Sequence, residues 1–112
     1  MIEKIILDYL TERLDPIPVV MEIPADRPAQ FVLIEKSGSS LENHLYDSMF
    51  AIRSYSTSLY NAALLNESVK AAMLDAVTLN TISAVSLNSD YNFTDGGSKQ
   101  YRYQAVFDIT HY

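Results

Sequence analysis

The fold is decided by residues 100–110, which read QYRYQAVFDIT. Apolar and aromatic side chains alternate with polar ones along this stretch, and Val106 is the exception. Because successive side chains of a β-strand point to opposite faces, the alternation predicts a strand with one buried face. One face carries Tyr101, Tyr103, Ala105, Phe107 and Ile109, and the other carries Arg102, Gln104, Asp108 and Thr110.

The segment before this strand predicts a β-hairpin. Asp95-Gly96-Gly97 is a turn signal, because glycine supplies the positive φ that a tight turn needs. A partner strand is therefore expected over about residues 83–93.

Three further strands are expected earlier in the chain. Residues 19–23 form a short run rich in branched side chains, and residues 31–34 form an unbroken apolar run, as in a strand covered on both faces. Residues 37–40, Ser-Gly-Ser-Ser, predict a flexible break. Residues 44–56 predict a long strand in which Arg53 lies among apolar neighbours and needs a partner or an opening to solvent.

Two helices complete the prediction. Residues 2–14 repeat apolar side chains at the spacing of one helix face, and Asp15-Pro16 ends the run. Hydroxyl side chains at 56–58 can cap a second helix over residues 59–77. The predicted fold is α+β, a single domain over residues 1–112 in the order α-β-β-β-α-β-β. Its sheet of four or five strands is flanked by two helices, and a right-handed crossover through the second helix is expected to make the sheet mixed.

Composition excludes several classes of protein. The 112 residues fit one domain and are 48% hydrophobic, which is enough for one core. The net charge is −6 and the eight basic residues are scattered singly, so binding to nucleic acid is not expected. The chain has no cysteine, which excludes disulfides, thiol catalysis and thiolate zinc sites. No apolar run approaches the roughly 18 residues of a membrane span, so no membrane partner is expected.

No catalytic residue, metal ligand or cofactor-binding residue is expected. His44 lies near Glu42 and Asp47, but strand positions 44 and 47 point to opposite faces, which indicates solvated polar side chains. His111 is predicted to fray. The sequence has neither a Gly-x-Ser-x-Gly elbow nor a phosphate-binding glycine loop, and nothing in it places a nucleophile beside a base. It therefore predicts a protein that is not an enzyme.

Tyrosine is the unusual feature of the composition, with eight residues. Tyrosine is favoured at protein interfaces because it buries much apolar area and keeps a hydroxyl for hydrogen bonding. It is also favoured in strands for its packing alone. Both interpretations remain open.

Three segments carry a family resemblance. Residues 20–38 read VMEIPADRPAQFVLIEKSG, residues 52–56 read IRSYS before a helix containing alanines, and residues 102–106 read RYQAV. These segments resemble, in this order, the tail-terminator-like proteins of long-tailed bacteriophages and of prophages of Gram-positive bacteria. The resemblance covers nearly the whole chain. It departs at residues 37–40, where a double glycine is usual, and at Tyr55, where tryptophan is common.

The resemblance implies a structural function. Tail terminators form a ring, usually a hexamer, on the head-proximal end of the tail tube. The ring stops polymerisation of the major tail tube protein and offers a surface to the head-closure or connector protein. The resemblance therefore implies a homo-oligomer that is part of the virion and is assembled in the host cytoplasm. It leaves open whether the free protein is monomeric. The alternatives are another head-tail connector or head-closure protein, and a host binding domain or small enzyme.

Interface candidates follow from the needs of a ring. A closed ring requires a heterologous interface, in which two different patches of each subunit meet. Pro24 and Pro28 stiffen a charged loop over residues 24–30, which lowers the ordering cost of a contact. Arginine is enriched in interfaces because its planar fork pairs well with carboxylates. The subunit-interface candidates are Asp26, Arg27, Arg53 and Tyr55.

Overall fold

The structure is a computed structural model that describes residues 1–97 and 100–112. Within these residues, two helices and a five-stranded sheet follow one another in the predicted order, so the α+β class is confirmed. The elements are α1 (Ile2–Arg13), β1 (Val19–Val20), β2 (Phe31–Glu42), β3 (Leu45–Ser56), α2 (Leu59–Leu74), β4 (Ile82–Asn92) and β5 (Tyr101–His111).

The sheet is mixed because of one parallel pair, β1 with β2. Its strand order is β1-β2-β3-β5-β4, and the other neighbouring pairs are antiparallel. The crossover expected through α2 is present, because β3 and β4 are both antiparallel to β5 and therefore run parallel to each other, but it is not what makes the sheet mixed. β5 lies between β3 and β4, so the connection through α2 passes over one strand instead of joining neighbours.

Both helices pack on the same face of the sheet and share one core with it. Ile6 and Leu10 of α1 and Met73 of α2 are fully buried there. The hydroxyl of Tyr9 donates to the carbonyl oxygen of Ala72 at 2.6 Å and joins the two helices. The sheet contributes Val32, Ile34, Phe50, Ile52, Ala105, Phe107 and Ile109. The inward face predicted for residues 105–109 is therefore confirmed.

Helix α2 begins where the sequence predicts and ends earlier. The Ser58 hydroxyl accepts a hydrogen bond from the amide nitrogen of Asn61 at 3.1 Å, which caps the first turn. The α-helix stops at Leu74, and the chain continues as a 3-10 turn over Asp75–Thr78. Leu59, the first residue of the helix, is 39% exposed.

Two strand boundaries differ from the prediction. β1 has only two residues, so residues 21–30 lie outside the sheet. Residues 37–40 are not a break, because they continue β2 and pair with β3 after a register shift between Lys36 and Gly38. The twelve-residue strand β3 offers a continuous partner for their backbone groups, which outweighs their flexible composition.

The two hairpins use their turn residues in different ways. Asn43 and His44 connect β2 to β3 with φ of 52° and 66°, the positive values of a two-residue type I′ turn. His44 is therefore in a turn and not in a strand. The β4–β5 hairpin is confirmed, with Asp95 bridged to Gln100, although its glycines have no positive φ. Instead the Asp95 carboxylate accepts from the amide of Gly97 at 3.1 Å, and residues 98–99 of this connection lie outside the described residues.

Candidate functional site

Neither α1 nor α2 covers one face of the sheet, although neighbouring side chains bury part of that face. We use the name open face for the side of β2, β3, β5 and β4 that points away from α1 and α2. Cross-strand partners point to the same face, so the register arranges the open face in five rows. From one end to the other the rows are Phe31–Tyr55–Arg102, Leu33–Arg53–Gln104–Tyr91, Glu35–Ala51–Val106–Ser89, Met49–Asp108–Ser86 and Asp47–Thr110–Ala84.

The first end of the open face is aromatic and basic. Phe31 stacks on Tyr55 with ring centroids 4.4 Å apart and an interplanar angle of 8°. The Arg102 guanidinium lies 5.7 Å from the centroid of Tyr55 and 4.7 Å from that of Phe93. Its Nε donates to the carbonyl oxygen of Phe93 at 2.7 Å. Aromatic rings therefore hold a guanidinium in place at this end of the sheet.

Arg53 is held from three sides in the next row. Its Nε donates to the Gln104 amide oxygen at 2.8 Å, and a terminal nitrogen lies 3.5 Å from a Glu35 carboxylate oxygen. The guanidinium also lies 5.3 Å from the centroid of Phe93, and the side chain is 23% exposed. The chain itself thus supplies the partner that the sequence requires for Arg53.

Tyr55 is buried within its own chain and is only 4% exposed. It lies between Phe31 and Arg102, and the Arg102 guanidinium donates to its hydroxyl at 3.5 Å. Leu33 and Val20 pack in the same small apolar cluster. Tyr55 therefore supports the open face and presents little of its own surface to a partner.

The opposite end of the open face is acidic. Asp47 accepts a hydrogen bond from the Thr110 hydroxyl at 2.7 Å, and Asp108 accepts one from the Asn88 amide at 3.1 Å. Met49 lies in the same row as Asp108 and is 39% exposed. With arginines at one end and aspartates at the other, the open face has a charge polarity along the strands.

Asp26 and Arg27 lie elsewhere, in the segment over residues 21–30 between β1 and β2. Both are exposed, and neither makes a hydrogen bond or ion pair with another described residue. Met21 and Ile23 of the same segment are 45% and 43% exposed. The four interface candidates are therefore divided between two places, this segment and the open face.

A cavity of about 360 Å³ lies beside the start of α1 and contains a serine-histidine pair. Nε2 of His111 is 2.8 Å from the Ser48 hydroxyl, and Nδ1 is 3.2 Å from the carbonyl oxygen of Tyr112. Tyr46 stacks on the imidazole at 5.4 Å. The prediction that His111 frays is wrong, because β5 continues through it and its pairing with Tyr46 buries the ring.

The pair of Ser48 and His111 has a geometry that is relevant to catalysis. A serine beside a histidine is the starting geometry of nucleophilic catalysis, so the expectation that no nucleophile lies beside a base is wrong. Ser48 and His111 are only 3% and 6% exposed, and the ring nitrogens are engaged on both sides. The pair satisfies two buried polar groups that would otherwise destabilise the sheet.

Sequence reasoning missed Arg102 and the two aspartates of the open face. The alternation of residues 100–110 did place Arg102 and Asp108 on one face. It could not place Arg102 beside Tyr55 or Asp108 beside Met49, because the pairing register of β3 with β5 joins segments about fifty residues apart.

No three His, Asp or Glu side chains of the described ranges lie together as ligands for a metal ion. Neither helix in these ranges is both long and apolar enough to cross a bilayer. A scan of the sequence against protein-family models and a search of curated proteins give no match.

Proposed function

We propose that the protein is a tail terminator of a long-tailed bacteriophage or prophage. It forms a ring on the head-proximal end of the tail tube, stops polymerisation of the major tail tube protein, and receives the head-closure or connector protein. The resemblance of three segments spread over nearly the whole chain supports this assignment. The helices and strands of the structure follow the order α-β-β-β-α-β-β that the sequence predicts and on which the resemblance partly rests.

The observation that carries the proposal is the segment over residues 21–30. It exposes two large apolar side chains, Met21 and Ile23, beside the charged pair Asp26 and Arg27. Exposed apolar side chains next to an unengaged charge are typical of a surface that another protein covers. Prolines at 24 and 28 restrict the backbone, so little entropy is lost when the segment is ordered in a contact.

The other two candidates take a supporting role in this proposal. Arg53 and Tyr55 hold the aromatic and basic end of the open face, and their strongest contacts are within the chain. We therefore assign the contact between subunits of the ring to Asp26 and Arg27 in the first place. The net charge of −6 suits a ring through which DNA has to pass without binding.

The test is a charge reversal, Arg27→Glu, in the phage or prophage that encodes the chain. Because Arg27 is exposed and makes no hydrogen bond or ion pair with another described residue, the variant should fold with nearly unchanged stability. Its rings should fail to close on tail tubes, and electron microscopy of negatively stained lysates should show abnormally long tails.

The control is Lys4→Glu, a charge reversal at a side chain of α1 that is 67% exposed and pairs with the exposed Asp8 one turn away. It should leave tail length normal. Normal tails in Arg27→Glu would remove this segment from the interface. Normal tail length in a full deletion of the gene would contradict the terminator assignment, and filled heads that lack attached tails of normal length would favour a connector protein.

A further inference from the structure

We propose that a second copy of this chain docks on the open face, so that two sheets pack face to face around a two-fold axis. The proposal rests on the charge polarity of the open face and goes beyond the proposed function. It concerns the free protein and not the ring.

The polarity makes the open face complementary to itself. Arg102 and Arg53 occupy the first two rows, and Asp108 and Asp47 occupy the last two. Six residues separate Arg53 from Asp47 along β3, which is about 20 Å at 3.4 Å per residue. A charge distribution of this kind attracts a copy of itself only when the copy is turned end for end.

A two-fold axis in the plane between the sheets and perpendicular to the strands makes this turn. It places the first row against the last row of the partner copy and the second row against the fourth. Each strand then lies over its own copy, so Arg102 lies over Thr110 of the other copy with Asp47 on the neighbouring strand. In the same way, Arg53 lies over Met49 with Asp108 on the neighbouring strand. Neighbouring strands are only about 4.8 Å apart, so each long arginine side chain can extend to the aspartate beside the residue that it covers. Each contact occurs twice, as in every isologous interface.

The middle row permits a close approach of the sheets. It contains Ala51 and Val106, small side chains that leave room for the packing distance of about 10 Å between sheets. Glu35 would meet its own copy at the edge of this row. The ion pair with Arg53 within each chain reduces that repulsion.

Arg53 and Arg102 are held in place within the chain and still have N–H groups that can donate to a partner copy. Contacts within the chain engage Nε and one terminal nitrogen of each guanidinium, so further N–H groups remain for a carboxylate of the partner copy. The aromatic rings of Tyr55 and Phe93 already restrict Arg102. Little side-chain entropy is therefore lost on docking.

The size of the open face sets the strength of the dimer. Four strands spaced about 4.8 Å apart and five rows about 6.8 Å apart give roughly 500 Å² of flat area per copy. Part of this area is not available to a partner, because five of its side chains are already buried within the chain: Phe31, Leu33, Ala51, Tyr55 and Gln104. A standard stable interface buries about 800 Å² per partner. The dimer is accordingly a reversible one, formed at high protein concentration and weakened by salt.

Two single charge reversals test the geometry, Arg102→Glu and Asp47→Arg. Neither places a new charge beside a like charge of its own chain in the contacts described. Each homodimer would oppose like charges at two places, so we expect each variant alone to be monomeric in sedimentation velocity. An equimolar mixture should form a one-to-one heterodimer. In it the introduced glutamate of one variant meets the introduced arginine of the other, and the native Asp47 of the first variant meets the native Arg102 of the second. Circular dichroism checks that both variants remain folded.

The control is Lys4→Glu on the exposed side of α1, which should dimerise like the parent chain. The expected effect of each reversal alone is a dissociation constant raised by more than about tenfold. A parent chain that stays monomeric at millimolar concentration would overturn the proposal. So would variants that self-associate like the parent, or a mixture that stays monomeric. Arg27→Glu, which tests the ring, should leave the dimer unchanged, so the two proposals fail separately.

Discussion

At the scale of single residues, the buried polar groups of β3 divide into satisfied and unsatisfied ones. Ser48 and Ser54 point to the same face of the strand and are 3% and 0% exposed. The Ser48 hydroxyl is bonded to His111, whereas the Ser54 hydroxyl has no partner among the described residues. A buried hydroxyl destabilises the fold when it has no hydrogen-bond partner. It stabilises the fold when it supplies the hydrogen bond of another buried polar group.

This contrast gives a paired prediction for alanine substitutions. Ser48→Ala should lower the free energy of unfolding by about 1–2 kcal/mol, because it leaves the buried Nε2 of His111 without a partner. Ser54→Ala should change it by less than about 0.5 kcal/mol or increase it, because no bond is lost. Urea denaturation of both variants measures the difference, and an equal loss in both would show that the bond to His111 contributes nothing.

At the scale of the elements, the connection between β2 and β3 is a two-residue turn with an unusual second residue. Type I′ turns require positive φ at both central residues and favour Asn-Gly. Asparagine tolerates the left-handed region of positive φ. His44 adopts φ of 66° although the Cβ of histidine makes this region unfavourable. The turn therefore stores strain at a position where the side chain of His44 is exposed.

Relief of this strain should stabilise the protein. His44→Gly should raise the free energy of unfolding by about 0.5–1 kcal/mol, because glycine has no Cβ penalty at positive φ. Asn43→Gly is the matched control and should raise it less, since asparagine already tolerates the left-handed region. Thermal unfolding checks both, and a loss of stability in His44→Gly would indicate that the imidazole makes a stabilising contact.

The elements also differ in how far the sequence predicts them. Helix α1 and strand β5 follow from periodicity, because their own side chains decide which face is buried. The continuation of β2 through residues 37–40 does not follow, because the neighbouring strand β3 decides it. The turn at Asn43 was missed because it lacks glycine, and His111 was predicted to fray because its partners Ser48 and Tyr46 are more than sixty residues away.

At the scale of the whole molecule, α1 is attached to the sheet by apolar contacts and by one ion pair near its start. The Glu3 carboxylate lies 3.4 Å from Nζ of Lys36 in β2. Hydrogen bonding to the backbone amide at the helix start lowers the pKa of Glu3 below its usual value, desolvation opposes this effect, and Lys36 adds to it. A carboxyl group with a lowered pKa in the folded state stabilises the fold above its unfolded pKa.

The free energy of unfolding should therefore depend on the ionisation of Glu3 at acid pH. As the pH falls from about 6 through the folded pKa, the contribution disappears, because both states then bind the proton. Glu3→Gln should be less stable than the parent chain near neutral pH, and the difference should vanish at the acid end. The test is to measure the denaturation midpoints of Glu3→Gln and of the parent chain across this pH range. A difference in midpoint that does not change with pH would indicate that the substitution acts through packing and not through the charge of Glu3.

The position of β5 in the sheet has a consequence for synthesis in the cell. β5 follows every other described strand in the sequence, yet it lies between β3 and β4 and pairs with both along their length. While residues 101–111 are still inside the ribosome, the nascent chain can pair β1, β2 and β3, but β3 has an exposed backbone edge and β4 has no partner strand. Folding of this domain is therefore completed after its last strand is translated, and until then those edges are open to chaperones or to aggregation.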